Sequence, residues 1–191
     1  MDMKGKIEAE LQESIEVKKE VLMSLSPVIE QAAGAMITAF KAGNKVLFFG
    51  NGGSAGDAQH LAAELISRYR LERKALAAIA LTTDTSIITA IGNDYNFDMI
   101  FARQIEGLAK NGDIAFGLST SGNSQNVIAG LEKAKQFGCL TIGLTGSTGR
   151  IAELVDIAIK VPSKVTARIQ ESHITIGHIL CGLIEAELFG K

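Results

Sequence analysis

His60 and Glu64 stand four residues apart, just past a glycine-rich run, Gly50-Asn51-Gly52-Gly53. On a helix that spacing puts the imidazole and the carboxylate on one face, a turn apart. Such a pair suits proton transfer or metal ligation. The glycine run permits positive φ and a close approach of ligand to backbone. Ser54 with Asp57 three places on is a variant of the capping box, which predicts that the helix starts there. The free N–H groups of its first turn would form an anion site.

A second loop, Ser119-Thr120-Ser121-Gly122-Asn123-Ser124, sets four hydroxyls in six residues between an apolar run and a helical one. Hydroxyls, amides and the helix end together suit a phosphate or sulfate. Ser and Thr are also ordinary cap and turn residues, so it is their density that points to phosphate. The loop holds no Lys or Arg, and G-x-x-x-x-G-K-[ST] is absent from the chain, which argues against nucleoside triphosphate chemistry. Gly50, Gly52 and Ala55 fit a loose G-x-G-x-x-A. In a dinucleotide fold the second strand should end in an acid about 20 residues on; here that strand ends at Asp84, 34 residues after Gly50. The other two histidines, His173 and His178, lie on a late apolar stretch behind Arg168, Gln170 and Glu171. His173 reads as structural. Gln170 and His178 are eight apart, about 80° off in direction, so they converge only if Gln170 sits in a frayed first turn or if the site straddles subunits.

The elements that must position these residues alternate. Continuous apolar runs, Val46–Phe49, Ala77–Leu81, Ile114–Leu118, Leu140–Leu144 and Ile157–Val161, read as buried strands, and helical patterns separate them. Strands apolar on both faces predict a parallel sheet covered by helices on both sides. In such sheets ligands bind beyond the carboxyl ends of the strands, where the small-residue loops 51–54, 119–124 and 145–149 fall. Two helices, Lys4–Leu25 and Val28–Lys41, precede the first strand, with Pro27 between them as the break. They belong to no strand–helix unit, and the first is expected to dock on a partner subunit. Gly92-Asn93-Asp94 reads as a turn.

Composition bounds the rest. The 191 residues suggest one domain, helices in residues 1–43 and an α/β core in 44–191. A net charge of −2 gives no reason to expect a nucleic-acid or membrane surface. Cys139 and Cys181 have no disulfide or zinc-knuckle spacing. With no signal-like N-terminus and no run of about 18 apolar residues, neither export nor a membrane span is expected; a cytoplasmic protein is the default.

Gly50-Asn51-Gly52-Gly53-Ser54, His60-x3-Glu64, Gly92-Asn93-Asp94, the serine loop and Arg168-Ile169-Gln170-Glu171-x6-His178 resemble the motifs of the sugar-isomerase (SIS) domain, and more closely those of its phosphoheptose isomerase family. The resemblance spans nearly the whole chain. The serine loop alone would indicate only a sugar-phosphate-binding SIS domain; His60, Glu64, Gln170 and His178 together are more specific. The resemblance implies a flavodoxin-like three-layer sandwich around a five-stranded parallel sheet. It implies conversion of D-sedoheptulose 7-phosphate to D-glycero-D-manno-heptose 7-phosphate, the first step toward the heptose of lipopolysaccharide or other surface glycans. It also implies a homotetramer with active sites at subunit interfaces. Ser119, Thr120, Ser121 and Ser124 would hold the phosphate. Asn51, Gly52, Gly53, Glu64, Asn93, Asp94 and Gln170 would contact the sugar, and Glu64 and His178 would exchange protons. In members that bind zinc, one ion per subunit, the ligands would be His60, Glu64, Gln170 and His178. The chain departs from some members at Ala167, where they carry an acid. One alternative is a non-catalytic SIS protein that binds the replication initiator, a family that lacks the acid and the last histidine. Another is an isomerase of a different sugar phosphate, whose chains usually bring further domains. Glu64 and His178 favour the phosphoheptose isomerase.

Overall fold

In the computed structural model, which describes residues 1–190, five parallel strands form one sheet in the order β2-β1-β3-β4-β5. Lys191, the last residue of the expected core, lies outside the described residues. The strands are β1 (Val46–Gly50), β2 (Ala78–Ala80), β3 (Ile114–Ser119), β4 (Leu140–Thr145) and β5 (Ile157–Lys160). Every residue of β1 and β3 is buried. The reason is the period of two: Val46 and Phe48 face one helical layer while Leu47 and Phe49 face the other. The first layer is α1 (Met3–Lys41), α2 (Gly53–Ile66) and α7 (Thr166–Phe189). The second contains α4 (Ile100–Leu108), α5 (Gln125–Gln136) and the short α6 (Ile151–Leu154), which no pattern in the sequence announced. The three-layer α/β sandwich expected from the alternation is therefore present.

The N-terminal helices are a correction. Residues 3–41 form a single helix that runs through Pro27. Proline removes one N–H, here the one that would bond the Met23 carbonyl, and Met23 is exposed, so water can satisfy that oxygen. Ser24 and Ser26 donate their hydroxyls to the Glu20 and Leu22 carbonyls on the same stretch. Packing on both sides of the proline, Val21 before it and Ile29, Ala32, Ala33 and Met36 after it, holds the helix continuous against the core. One window of α1 has a mean hydropathy of 1.3, long and apolar enough by length and composition to cross a membrane, contrary to the expectation from the sequence. Its buried members pack on the sheet side of this protein, as those of an amphipathic core helix do.

A second correction concerns residues 92–94. They are the last turn of α3 (Thr85–Asp94) and not a separate turn, and a 3-10 turn, Phe97–Met99, follows before α4. Asp84 caps the start of α3: its carboxylate accepts from the Ile87 N–H at 2.9 Å.

Candidate active site

The chain leaves β1 toward β2 on one side and returns to β3 on the other. The crevice between the ends of β1 and β3 is thus the topological switch point, where ligands bind in open parallel sheets. The glycine loop follows β1 and the serine loop follows β3, so both predicted loops border it. A side-chain bridge closes its base. Asn51 donates to the Asn126 carbonyl oxygen at 2.8 Å, and Asn126 donates back to Asn51 at 2.9 Å.

Helix α2 starts two residues earlier than the capping box implied. Gly52 is the N-cap, at φ 56°, a left-handed conformation that glycine adopts without strain. No side chain caps the helix. Ser54 is buried inside its first turn, and one Asp57 oxygen is buried without a partner. Burial pushes the Asp57 carboxyl up to about 6, with His60 pulling the other way. The first amides of α2 are thereby left free of side-chain competition. Gly53 is needed for a different reason: a Cβ there would collide with the amide of Gln170, which reaches over from the first turn of α7.

In the serine loop the Ser119 hydroxyl lies 2.9 Å from that of Ser124 and 3.4 Å from that of Ser121. Ser124 is the N-cap of α5 but makes no cap bond to it, because its hydroxyl is turned to Ser119. Three hydroxyls therefore cluster at an uncapped helix start, with Thr120 half-buried among them, and together they present donors to an anion. No side-chain cation is bonded into the cluster among the described residues.

At the C-terminal side of the crevice, α2 brings His60 and Glu64 to face His178 on α7. Their ligand atoms all lie within 4.8 Å of one another. His60 Nε2 is 2.8 Å from His178 Nε2 and 3.4 Å from Glu64 Oε1. In that contact one ring nitrogen donates and the other accepts, which of them depending on the tautomer. The set fits a divalent cation: two imidazoles and a carboxylate are a common zinc donor set. Two imidazole nitrogens on a tetrahedral zinc stand about 3.3 Å apart, so the pair would open by about half an ångström. Gln170 is two turns nearer the start of α7, with its amide against Gly53.

Asn93 and Asp94 make no hydrogen bond to the glycine loop, the serine loop or the histidine cluster. They sit exposed at the end of α3, where Asn93 donates to Asp94 at 2.9 Å.

The SIS domain description matches residues 11–146. Phosphoheptose isomerase of Citrifermentans bemidjiense is 55% identical over 186 residues, 97% of each chain. Among solved structures, phosphoheptose isomerase of Neisseria gonorrhoeae superposes with a TM-score of 0.92 at 44% identity, covering 96% of this chain and 99% of that one. The enzyme from Francisella tularensis gives 0.93 at 41% identity, covering 96% and 98%. The chain belongs to the phosphoheptose isomerase family. Beside these residues, reasoning from the sequence missed Asn126, bonded to Asn51, and Tyr69. Tyr69 stacks on the His178 ring at 5.5 Å and 19°. Asn126 could have been suspected as a polar residue in the first turn of a helix that follows a ligand loop. Nothing in the sequence distinguished Tyr69 from its charged neighbours.

Proposed function

We propose that this protein is an isomerase of D-sedoheptulose 7-phosphate and D-glycero-D-manno-heptose 7-phosphate. The observation that carries the reading is the convergence of His60, Glu64 and His178 beside a crevice whose other wall is the serine loop. Family membership across nearly the whole chain gives the substrate class. Aldose–ketose isomerisation moves a proton between C1 and C2 through an enediol. It requires a base at carbon and an acid at oxygen. Glu64 serves at carbon, and His178, hydrogen-bonded to His60, delivers and recovers the proton at oxygen. Each such group contributes roughly 10²–10⁴-fold. Ser119, Thr120, Ser121 and Ser124 hold the phosphate; Asn51, Gly52, Gly53 and Gln170 face the sugar. Zinc would be held by His60, Glu64 and His178, with Gln170 the remaining donor expected, and would supply a positive charge for the oxygens of the enediolate.

The assembled enzyme is a homotetramer in this reading. Ile7, Leu11, Ile15, Leu22 and Met23 on α1 are exposed, as are Ile179 and Leu183 on α7. That apolar surface, and the exposure of Asn93 and Asp94, support active sites completed by a neighbouring subunit. A cytoplasmic location fits two buried free thiols, Cys139 and Cys181. The product would feed lipopolysaccharide or another surface glycan.

The test is turnover of sedoheptulose 7-phosphate by the purified protein, with and without chelator and added zinc. Turnover lost to chelator and restored by zinc supports both the isomerase and the metal site. Turnover indifferent to chelator keeps the isomerase and removes the metal. No turnover in either condition overturns the reading.

A further inference from the structure

The most deeply buried ion pair among the described residues has no part in the reading above. It joins Glu185, 2% exposed at its side chain, to Arg73, 1% exposed. Glu185 lies seven residues after His178 on α7, two turns on and on the same stripe. Its carboxylate accepts four N–H bonds: from the backbones of Tyr69 and Arg70 at 2.8 Å, from that of Leu71 at 3.0 Å, and from Arg73 Nε at 3.0 Å. Burial alone would raise its pKa, but these donors outweigh it and hold the carboxyl below the usual range. Arg73 spends its other N–H groups on the end of α2, donating to the carbonyls of Glu64 at 2.8 Å and Leu65 at 2.6 Å. The pair therefore reaches the backbone of Glu64 and the loop whose ring stacks on His178. Through Arg73 it grips the backbone of Glu64. Through the 69–71 amides it fixes the loop whose tyrosine ring lies on His178, and the Arg70 guanidinium sits over that same ring at 4.9 Å.

We propose that Glu185 and Arg73 are positioning residues for proton transfer, setting Glu64 against His178 by clamping the end of α2 and the Tyr69 stack to α7. The inference rests on the isomerase reading of Glu64 and His178. A buried ion pair contributes little net stability against an apolar replacement, so its retention here calls for a role in geometry. Misplacing a catalytic group by about 1 Å costs on the order of 100-fold in rate.

The experiment measures kcat, KM and melting temperature for Glu185→Gln, Arg73→Lys, Tyr69→Ala and Tyr69→Phe, with Glu64→Gln beside them, at a temperature where each is folded. The expected result is a kcat about 10–100-fold lower for Glu185→Gln and Arg73→Lys with KM within about two-fold. Tyr69→Ala should lose kcat without loss of melting temperature, since it leaves the ion pair in place, and Tyr69→Phe should restore it. If Glu185→Gln does not fold, the two Tyr69 variants still decide. A lower melting temperature with unchanged kcat, or wild-type kcat in Tyr69→Ala, overturns the proposal and leaves the pair purely structural. Wild-type protein without turnover, or full turnover in Glu64→Gln, overturns the isomerase reading and the positioning role with it.

Discussion

His173 lies on α7 with no exposed surface and no partner for either ring nitrogen. Burial pushes its pKa down from 6.5 to about 4. The folded protein then keeps the ring neutral at a pH where the unfolded chain protonates it. Above pH 6.5 both states are neutral and nothing is lost. Between 6.5 and 4 the unfolded state binds the extra proton, so stability falls as pH falls, by roughly 3 kcal/mol in all. His173→Leu should remove that slope, and urea midpoints at pH 7.5, 6 and 5 for the two proteins would read it. A wild-type-minus-mutant difference constant across that range would contradict the assignment. Glu64→Gln tests the other kind of residue. It keeps shape and burial and removes the base, so turnover should drop at least 100-fold while the melting temperature and protection by inorganic phosphate stay near wild type. Wild-type-like turnover would sink the base assignment. His60, Glu64 and the hydroxyl cluster were legible because spacing on one helix and density in one loop are local facts. The pairing of His60 with His178 across 118 residues, and the Tyr69 stack, depend on how α2 and α7 pack, which periodicity does not encode.

Among the elements, α1 shows where local rules yield to packing. Pro27 marks a break by propensity, yet the helix passes through it because both flanks are anchored on α7 and the sheet. The proline still costs a hydrogen bond and crowds the preceding turn, about 3 kcal/mol in an unsupported helix. Pro27→Ala should therefore raise stability by about 1–3 kcal/mol, measured by urea unfolding, with kcat unchanged. A destabilised variant would mean that the proline sets a bend that packing requires. The strands were legible for the converse reason. Each is a mostly apolar run, and a sheet covered on both faces buries such runs. The start of α2 was misread because Ser54 and Asp57 match a cap motif that Gly52, with its positive φ, makes unnecessary. Gly53 follows from the same geometry. Gly53→Ala should push Gln170 out of its seat and lower kcat/KM at least tenfold with little change in melting temperature, whereas Gly56→Ala, with open space around it, should behave as wild type.

At the scale of the molecule, the single chain leaves work unfinished. Helix α1 carries Ile7, Leu11 and Ile15 at intervals of four, all exposed, beyond the part that packs on the core. Between this helix and α7, a groove lined by Val21, Leu22, Ile179 and Leu183 opens to solvent. What ties the N-terminal half of α1 to the rest is polar: Arg168, buried on α7, bonds the Glu10 carbonyl and pairs with Glu10 and Glu13, while Ser14 donates to Glu171 at 2.7 Å. Such a helix, apolar on its outer face and held by ions on its inner one, is shaped for a second subunit. Removing residues 1–25 would take away the apolar stripe and strip Arg168 of its α1 partners. The truncated chain should sediment as a smaller species than the full-length protein. It should also lose turnover if, as proposed, the sites are completed by a neighbouring subunit. A truncated protein that still sediments as a tetramer would place the interface elsewhere, and one that is monomeric yet fully active would show that a single chain holds the whole site.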